Sequence, residues 1–190
     1  SMLAPNKGSL YRLNAEIGMF GDTRYYKNSA QYQHYWPLTR KYTIAVNAEL
    51  GYGAGYSGKS FPLFKNFYSG GLGSVRGFQQ NSLQTNAAYA LNKNNPSVGG
   101  SKKVLLNTEF LMPFPGVGTD KTLRLFTFVD VGNVYDESES VDLAQLRSSA
   151  GLGLSWVSPV GPLRIALAKP IKKFEIDRMQ VFQFQIGTAF

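Results

Sequence analysis

The segment Tyr42-Thr43-Ile44-Ala45-Val46-Asn47-Ala48-Glu49-Leu50-Gly51-Tyr52-Gly53 alternates along its whole length. In an extended chain Tyr42, Ile44, Val46, Ala48, Leu50 and Tyr52 share one face, and Thr43, Ala45, Asn47, Glu49, Gly51 and Gly53 share the other. One side suits an apolar solvent and the other suits water. The end of the chain, Val181-Phe182-Gln183-Phe184-Gln185-Ile186-Gly187-Thr188-Ala189-Phe190, repeats the pattern. Here Phe182, Phe184, Ile186, Thr188 and Phe190 oppose Gln183, Gln185, Gly187 and Ala189. Two glutamines beside a glycine would fill a dry core poorly.

Working outward, the same reading marks eight strands near 10–19, 25–36, 42–53, 103–113, 123–135, 148–158, 162–170 and 180–190. In the first, Tyr11, Leu13, Ala15, Ile17 and Met19 oppose Arg12, Asn14, Glu16 and Gly18; in the seventh, Leu163, Ile165 and Leu167 oppose Arg164, Ala166 and Ala168. Most have the length that a tilted membrane strand requires. A soluble sandwich or lipocalin-like barrel also alternates, but its apolar face is the inner one. The pattern therefore predicts an all-β fold, a transmembrane antiparallel β-barrel with eight strands in one domain, 1–190, in a bacterial outer membrane.

Composition bounds the alternatives. Hydrophobic residues make up 43% and charged residues 17%, yet no run approaches the roughly 18 apolar residues of a spanning helix. Gly (20), Tyr (11) and Phe (13) favour strands and turns. With no cysteine, neither a disulfide framework nor a thiolate metal site is available. The net charge of +8 is dispersed rather than striped, so no nucleic-acid partner is expected. The opening Ser1-Met2 reads as an expression remnant and not as a signal peptide, so the natural protein is expected to begin elsewhere.

The connections carry a partly independent signal, because outer-membrane barrels have short periplasmic turns and longer outer loops. Counting back from a periplasmic carboxyl terminus, the stretches 54–102, 136–147 and 171–179 fall outside, with a short exception near Gly21-Asp22. Pro37 to Lys41, Pro113 to Thr122 and Ser158-Pro159-Val160-Gly161 fall inside. Tyr11, Trp36, Tyr42, Trp156 and Phe190 then gather near the periplasmic edge as an aromatic girdle. The single histidine, His34, shares a face with Tyr32 and Trp36, which fits a girdle position better than a general base. Glu16 and Glu49 face the lumen, but nothing defines a sugar cleft around them. No catalytic group, metal or other cofactor is expected.

The connection 54–102 is far longer than a compact domain normally uses, so it is functional, folded inward or disordered. Its centre, Gly70-Gly71-Leu72-Gly73-Ser74-Val75-Arg76-Gly77-Phe78, places glycines around one arginine, with neither a Walker lysine nor a helix pattern to suggest a phosphate cradle. Parity turns Glu109 inward, opposite Val104, Leu106, Thr108, Phe110 and Met112. It turns Asp130 inward with Phe126 and Phe128, opposite Leu125, Val129, Val131 and Tyr135. Parity alone leaves both acids open to being solvated lumenal charges without a fixed partner.

Val75-Arg76-Gly77-Phe78, Asn66-Phe67-Tyr68-Ser69-Gly70-Gly71, Phe128-Val129-Asp130-Val131-Gly132-Asn133-Val134-Tyr135-Asp136 and Trp156-Val157-Ser158-Pro159-Val160-Gly161-Pro162-Leu163 together resemble the BamA family. Its members form the central barrel of the outer-membrane β-barrel assembly machinery, in a superfamily that also holds TamA and the two-partner secretion transporters. The resemblance implies a 16-stranded barrel preceded by periplasmic POTRA domains, of which these eight strands are the second half. It implies that Arg76 folds into the lumen to meet Glu109 and Asp130. It further implies client β-barrel proteins, outer-membrane lipids and BAM lipoproteins as partners of the parent, and makes Val181 to Phe190 one lip of a seam lent to clients. The chain alone is expected to be inactive. The alternative function is a pore or secretion channel of the same superfamily. An isolated half leaves two open edges. These would close either on each other, with the long loop displaced, or in a homodimer of half-barrels, which is slightly favoured.

Overall fold

The computed structural model describes residues 7–21, 23–91, 93, 96–117, 122–159 and 161–187. Its strands are β1 (Gly8–Gly18), β2 (Tyr25–Pro37), β3 (Thr43–Gly55), β4 (Gly77–Phe78), β5 (Lys102–Pro113), β6 (Leu123–Tyr135), β7 (Arg147–Ser158), β8 (Gly161–Lys172), β9 (Met179–Gln180) and β10 (Phe182–Ile186). Eight of them form one antiparallel sheet in the order β1-β2-β3-β5-β6-β7-β8-β10, and β4 pairs with β9 in a separate ribbon. The strands of this sheet follow one another in chain order, joined by short turns at one end and by longer connections, one of them holding β4 and another β9, at the other. Within the connection between β3 and β5 lie β4, a 3-10 turn at Leu63–Lys65 and one short helix, α1 (Asn86–Leu91).

Pairing assigns the faces. Asn47 lies opposite Asn107, and Asn107 opposite Asp130. Phe128 lies opposite Gly151, Gly151 opposite Ala168, and Gln183 opposite Ala166. These residues, with Gln31 and Arg12, line the inner face, against which the long connection packs. The outer face carries Leu13, Leu50, Leu106, Val129, Leu152, Leu167 and Phe184, all exposed. These large exposed apolar side chains, on seven of the eight strands, are more than a soluble monomer normally presents on one face, and hydrocarbon is the solvent that suits them. Among the described residues no helix is long and apolar enough to cross a membrane.

Trp36, Tyr42 and Trp156 mark one end of the outer face, beside the connections 38–42 and 159–160, and Tyr42 stacks on Phe110 at 5.6 Å between centroids. Tyr11 lies 4.8 Å from Tyr32. His34 packs on Trp36 at 3.9 Å, with Nδ1 2.6 Å from Ser9 Oγ.

Three expectations need correction. Among the described residues β1 and β10 form no ladder with each other, so the sheet does not close on itself. Of the two ways of closing the open edges, closure of the sheet on itself is thus not seen, and the long connection lies against the inner face instead of being displaced. Second, the last strand is not continuous from 180. Met179 and Gln180 leave the main sheet to pair with Gly77 and Phe78, and the ladder with β8 runs from Phe182 to Ile186. Thr188, Ala189 and Phe190, together with Asp22, Val160 and 118–121 of the turn regions, lie outside the described residues. Third, Tyr135 keeps its outward parity but does not face lipid. It is buried, and its hydroxyl donates to the Asp142 carbonyl in the connection that folds over it.

Candidate functional site

The site begins with backbone geometry. Gly71 adopts φ 100°, and a Cβ there would lie 1.8 Å from Gln80 Oε1; at Gly77, φ is 88° and a Cβ would lie 3.0 Å from that of Ala168. Glycine alone meets both demands, so the motif turns tightly and runs against β8. The Gly71 N–H donates to the Val75 carbonyl at 3.1 Å and closes the turn. Val75 and Phe78 are then buried with Leu83 and Leu105, which drives the arginine between them toward the sheet.

Arg76 is 2% exposed and Asp130 0%. The Arg76 backbone N–H donates to Asp130 Oδ2 at 3.0 Å, Nε donates to the same oxygen at 2.7 Å, and Nη2 donates to Oδ1 at 2.7 Å. Nη1 donates to Glu109 Oε1. Asn107 Nδ2 reaches both Asp130 Oδ1 and the Ser74 carbonyl at 2.8 Å, tying the acid to the turn before the arginine. Burial disfavours the Arg76 charge, but the hydrogen bonds and the two carboxylates outweigh it and hold the guanidinium above its ordinary range.

A fourth charge completes the cluster. Arg164 on β8 donates through Nη2 to both oxygens of Glu109, at 2.8 and 3.0 Å. Two arginines thus meet two carboxylates in one cluster. The aromatic residues of β6 support both cations: Arg76 lies 3.7 Å from the Phe128 ring centroid, and Arg164 lies 4.6 Å from that of Phe126. Phe126 can lie over β7 because Gly153 has no side chain, and a Cβ there would come within 2.3 Å of both the Phe126 ring and the Ile165 carbonyl. We expect Gly153→Val to cost about 1–3 kcal/mol through this overpacking. A denaturation midpoint identical to that of the unsubstituted protein would show that the ring is free to move.

Alternation places Arg164 on the inner face and gives it no partner. Its signal was an arginine beside Ala166 and Ala168, a costly neighbourhood for an unpaired charge. Loop docking at the other end was also missed. Phe67 and Phe61 occupy the positions where Cβ atoms of Gly51 and Gly53 would lie, at 2.6 and 2.4 Å. Glu16 pairs with Lys65 of the loop, while Glu49 pairs with Lys103 at 3.0 Å, so these two acids serve separate contacts.

A row of side chains crosses the inner face to the cluster. Arg12 Nη1 donates to Gln31 Oε1 (3.1 Å), Gln31 Nε2 to Asn47 Oδ1 (2.8 Å), Asn47 Nδ2 to Asn107 Oδ1 (2.9 Å), and Asn107 Nδ2 to Asp130. On the terminal strand, Phe182, Phe184 and Ile186 are exposed outward. Gln183 and Gln185 turn inward, the Val181 carbonyl accepts from Ala168 N–H at 2.9 Å, and the Gly187 N–H donates to the Pro162 carbonyl at 2.8 Å.

An amphipathic antiparallel wall with its apolar face outward and a long loop pinned to its polar face is the organisation of a membrane β-barrel whose interior is plugged. The chain belongs to the Omp85 superfamily, whose domain matches residues 1–190. It is 36% identical over its whole length to the outer membrane protein assembly factor BamA of Neisseria meningitidis serogroup B, and covers 27% of that protein. It is 27% identical over 98% of its length to BamA of Nitratidesulfovibrio vulgaris, covering 23% of it. The crystal structure of BamA from Haemophilus ducreyi lacking POTRA domains 1–3 matches 95% of the chain with a TM-score of 0.82 at 32% identity, and the match covers 38% of that structure's chain. The chain thus spans about a quarter of the length of these two curated relatives.

Proposed function

We propose that this chain is part of the barrel wall of an outer-membrane assembly factor that folds and inserts client β-barrel proteins. It does so without chemistry, by lending a strand edge at a seam of which Phe182–Ile186 is one lip. The observation that carries this reading is the long loop pinned against the inner face. With the loop held by Arg76, Glu109, Asp130 and Arg164, a client's route lies along a strand edge rather than through an open bore. Identity to assembly factors along the whole chain supports it. The protein works in the bacterial outer membrane, with lipid against its outer face, client barrels at its seam and assembly lipoproteins as further partners.

The test compares two activities of the intact protein in lipid vesicles and planar bilayers. An assembly factor accelerates folding of a radiolabelled client barrel over protein-free vesicles. Steady ion conductance with no acceleration would instead identify a pore or secretion channel.

The eight strands act as one unit, 1–190, whose two sheet edges, β1 and β10, need partners in a membrane. A second copy could supply these, with β1 of each chain antiparallel to β10 of the other in a two-fold arrangement. Native mass spectrometry of the 190-residue chain in detergent decides this: the mass of two copies supports that pairing, and a clean single copy removes it.

A further inference from the structure

Gln183 is 5% exposed on the inner face of β10, and both ends of its side-chain amide are used. Oε1 accepts from the Gly77 N–H at 3.2 Å, and Nε2 donates to the Phe78 carbonyl at 2.8 Å. A primary amide presents the same donor and acceptor as a peptide unit, so Gln183 binds β4 much as a further residue of β9 would. The ribbon it extends pairs Gly77 with Gln180 and Phe78 with Met179, and the Gln79 N–H donates to the Arg178 carbonyl at 2.8 Å. The motif strand is therefore bonded to the chain on both sides of Val181, where the terminal strand begins.

Arg76 is the residue immediately before this ribbon, and its partners lie on β5 and β6. The terminal strand, by contrast, pairs with β8 at only five positions, from Phe182 to Ile186. Its main-sheet ladder is the shortest in the sheet, so the contacts to the motif matter most there. Gln185 is the natural comparison: it faces the same way, two residues on, and borders the inner cavity beside Arg164 without a bond to the motif.

We infer that Gln183 is a positioning residue that makes the terminal strand and the arginine cluster one mechanical unit. Seating Arg76 fixes β4, β4 fixes the Gln183 amide, and the amide holds the start of the seam strand inward. Release of the loop frees that strand from its outer end. The coupling rests on the assembly reading only for its biological use, since the contacts hold whatever passes the seam.

Hydrogen exchange of the intact protein in detergent tests it, and client insertion plays no part in the readout. A failed assembly reading therefore leaves this test standing. Gln183→Leu removes both bonds and is expected to speed exchange across 179–186 by roughly tenfold, the effect of losing about two modest hydrogen bonds. Exchange in β6 should stay at the unsubstituted level. Gln183→Glu keeps the acceptor for Gly77 but sets a carboxylate against the Phe78 carbonyl, and it should loosen the same residues. Arg76→Ala should loosen both 179–186 and β6, and Gln185→Leu neither. Equal exchange in Gln183→Leu and Gln185→Leu would overturn the inference. So would an Arg76→Ala protein in which β6 opens while 179–186 keep their protection.

Discussion

Arg76→Ala is expected to destabilise the folded protein by about 3–5 kcal/mol, because it strands two carboxylates that the fold has removed from water. Asp130 would keep only Asn107 among the side chains that bind it, and Glu109 would keep Arg164. Asp130→Ala should be as severe, since it leaves the guanidinium, stacked on Phe128, with one acid in place of two. Arg76→Lys tests whether charge suffices. A lysine is a point cation and cannot reproduce the fork that grips both Asp130 oxygens, so it should recover only a minor part of the loss. The measurement is the temperature at which the compact band of the intact protein is lost on a semi-native gel. An Arg76→Ala band that survives to the temperature of the unsubstituted protein would remove the cluster from any account of stability.

Arg147→Ala should be comparable in energy and different in place. Arg147 and Asp177 expose 0% and 2% of their side chains. Nε donates to both Asp177 oxygens at 3.1 Å, Nη2 donates to Oδ1 at 3.0 Å, and Nη1 donates to the Gln145 carbonyl at 2.6 Å. Phe174 covers the guanidinium at 4.3 Å, and its N–H donates to Asp177 at 2.7 Å. Alanine would leave Asp177 charged, buried and held by little else, a loss of about 3–5 kcal/mol. The effect should appear as opening of the connection between β8 and β9, read as faster tryptic cleavage after Lys173 and Arg178. An apolar pair, Arg147→Met with Asp177→Leu, should restore most of the resistance, because neither partner is then left unpaired. If the double substitution is cut as fast as the single one, the connection is held by something other than this pair.

The faces of the strands were legible because side-chain alternation depends on the local backbone alone. Leu50 and Glu49 had to fall on opposite sides whatever they touched, and the same argument oriented Glu109, Asp130 and Arg164. Partners were another matter. Arg164 reaches Glu109 across two intervening strands, and periodicity within one segment carries no information about that distance. The split of the last strand was hidden for the same reason: Met179 and Gln180 alternate acceptably, and only the arrival of Gly77 and Phe78 from far away in the chain diverts them. Gly51 and Gly53 could have been read as seats for Phe67 and Phe61, since inward glycines in a strand often mark close approach. Neither half of that signal means much without the other.

Alternation also has a blind spot that the polar row from Arg12 to Asp130 removes. Slippage of one strand past its neighbour by two residues leaves every greasy side chain in lipid and every polar one inside, so the hydrophobic pattern cannot penalise it. The row can. Gln31, Asn47 and Asn107 each accept from one neighbour and donate to the next, all in the same direction. A two-residue slip between β3 and β5 would set Leu105 or Glu109 opposite Asn47 in place of Asn107 and break the row there. The amides thus act as alignment marks, which tell one greasy-out arrangement of the wall from another that lipid would accept equally well.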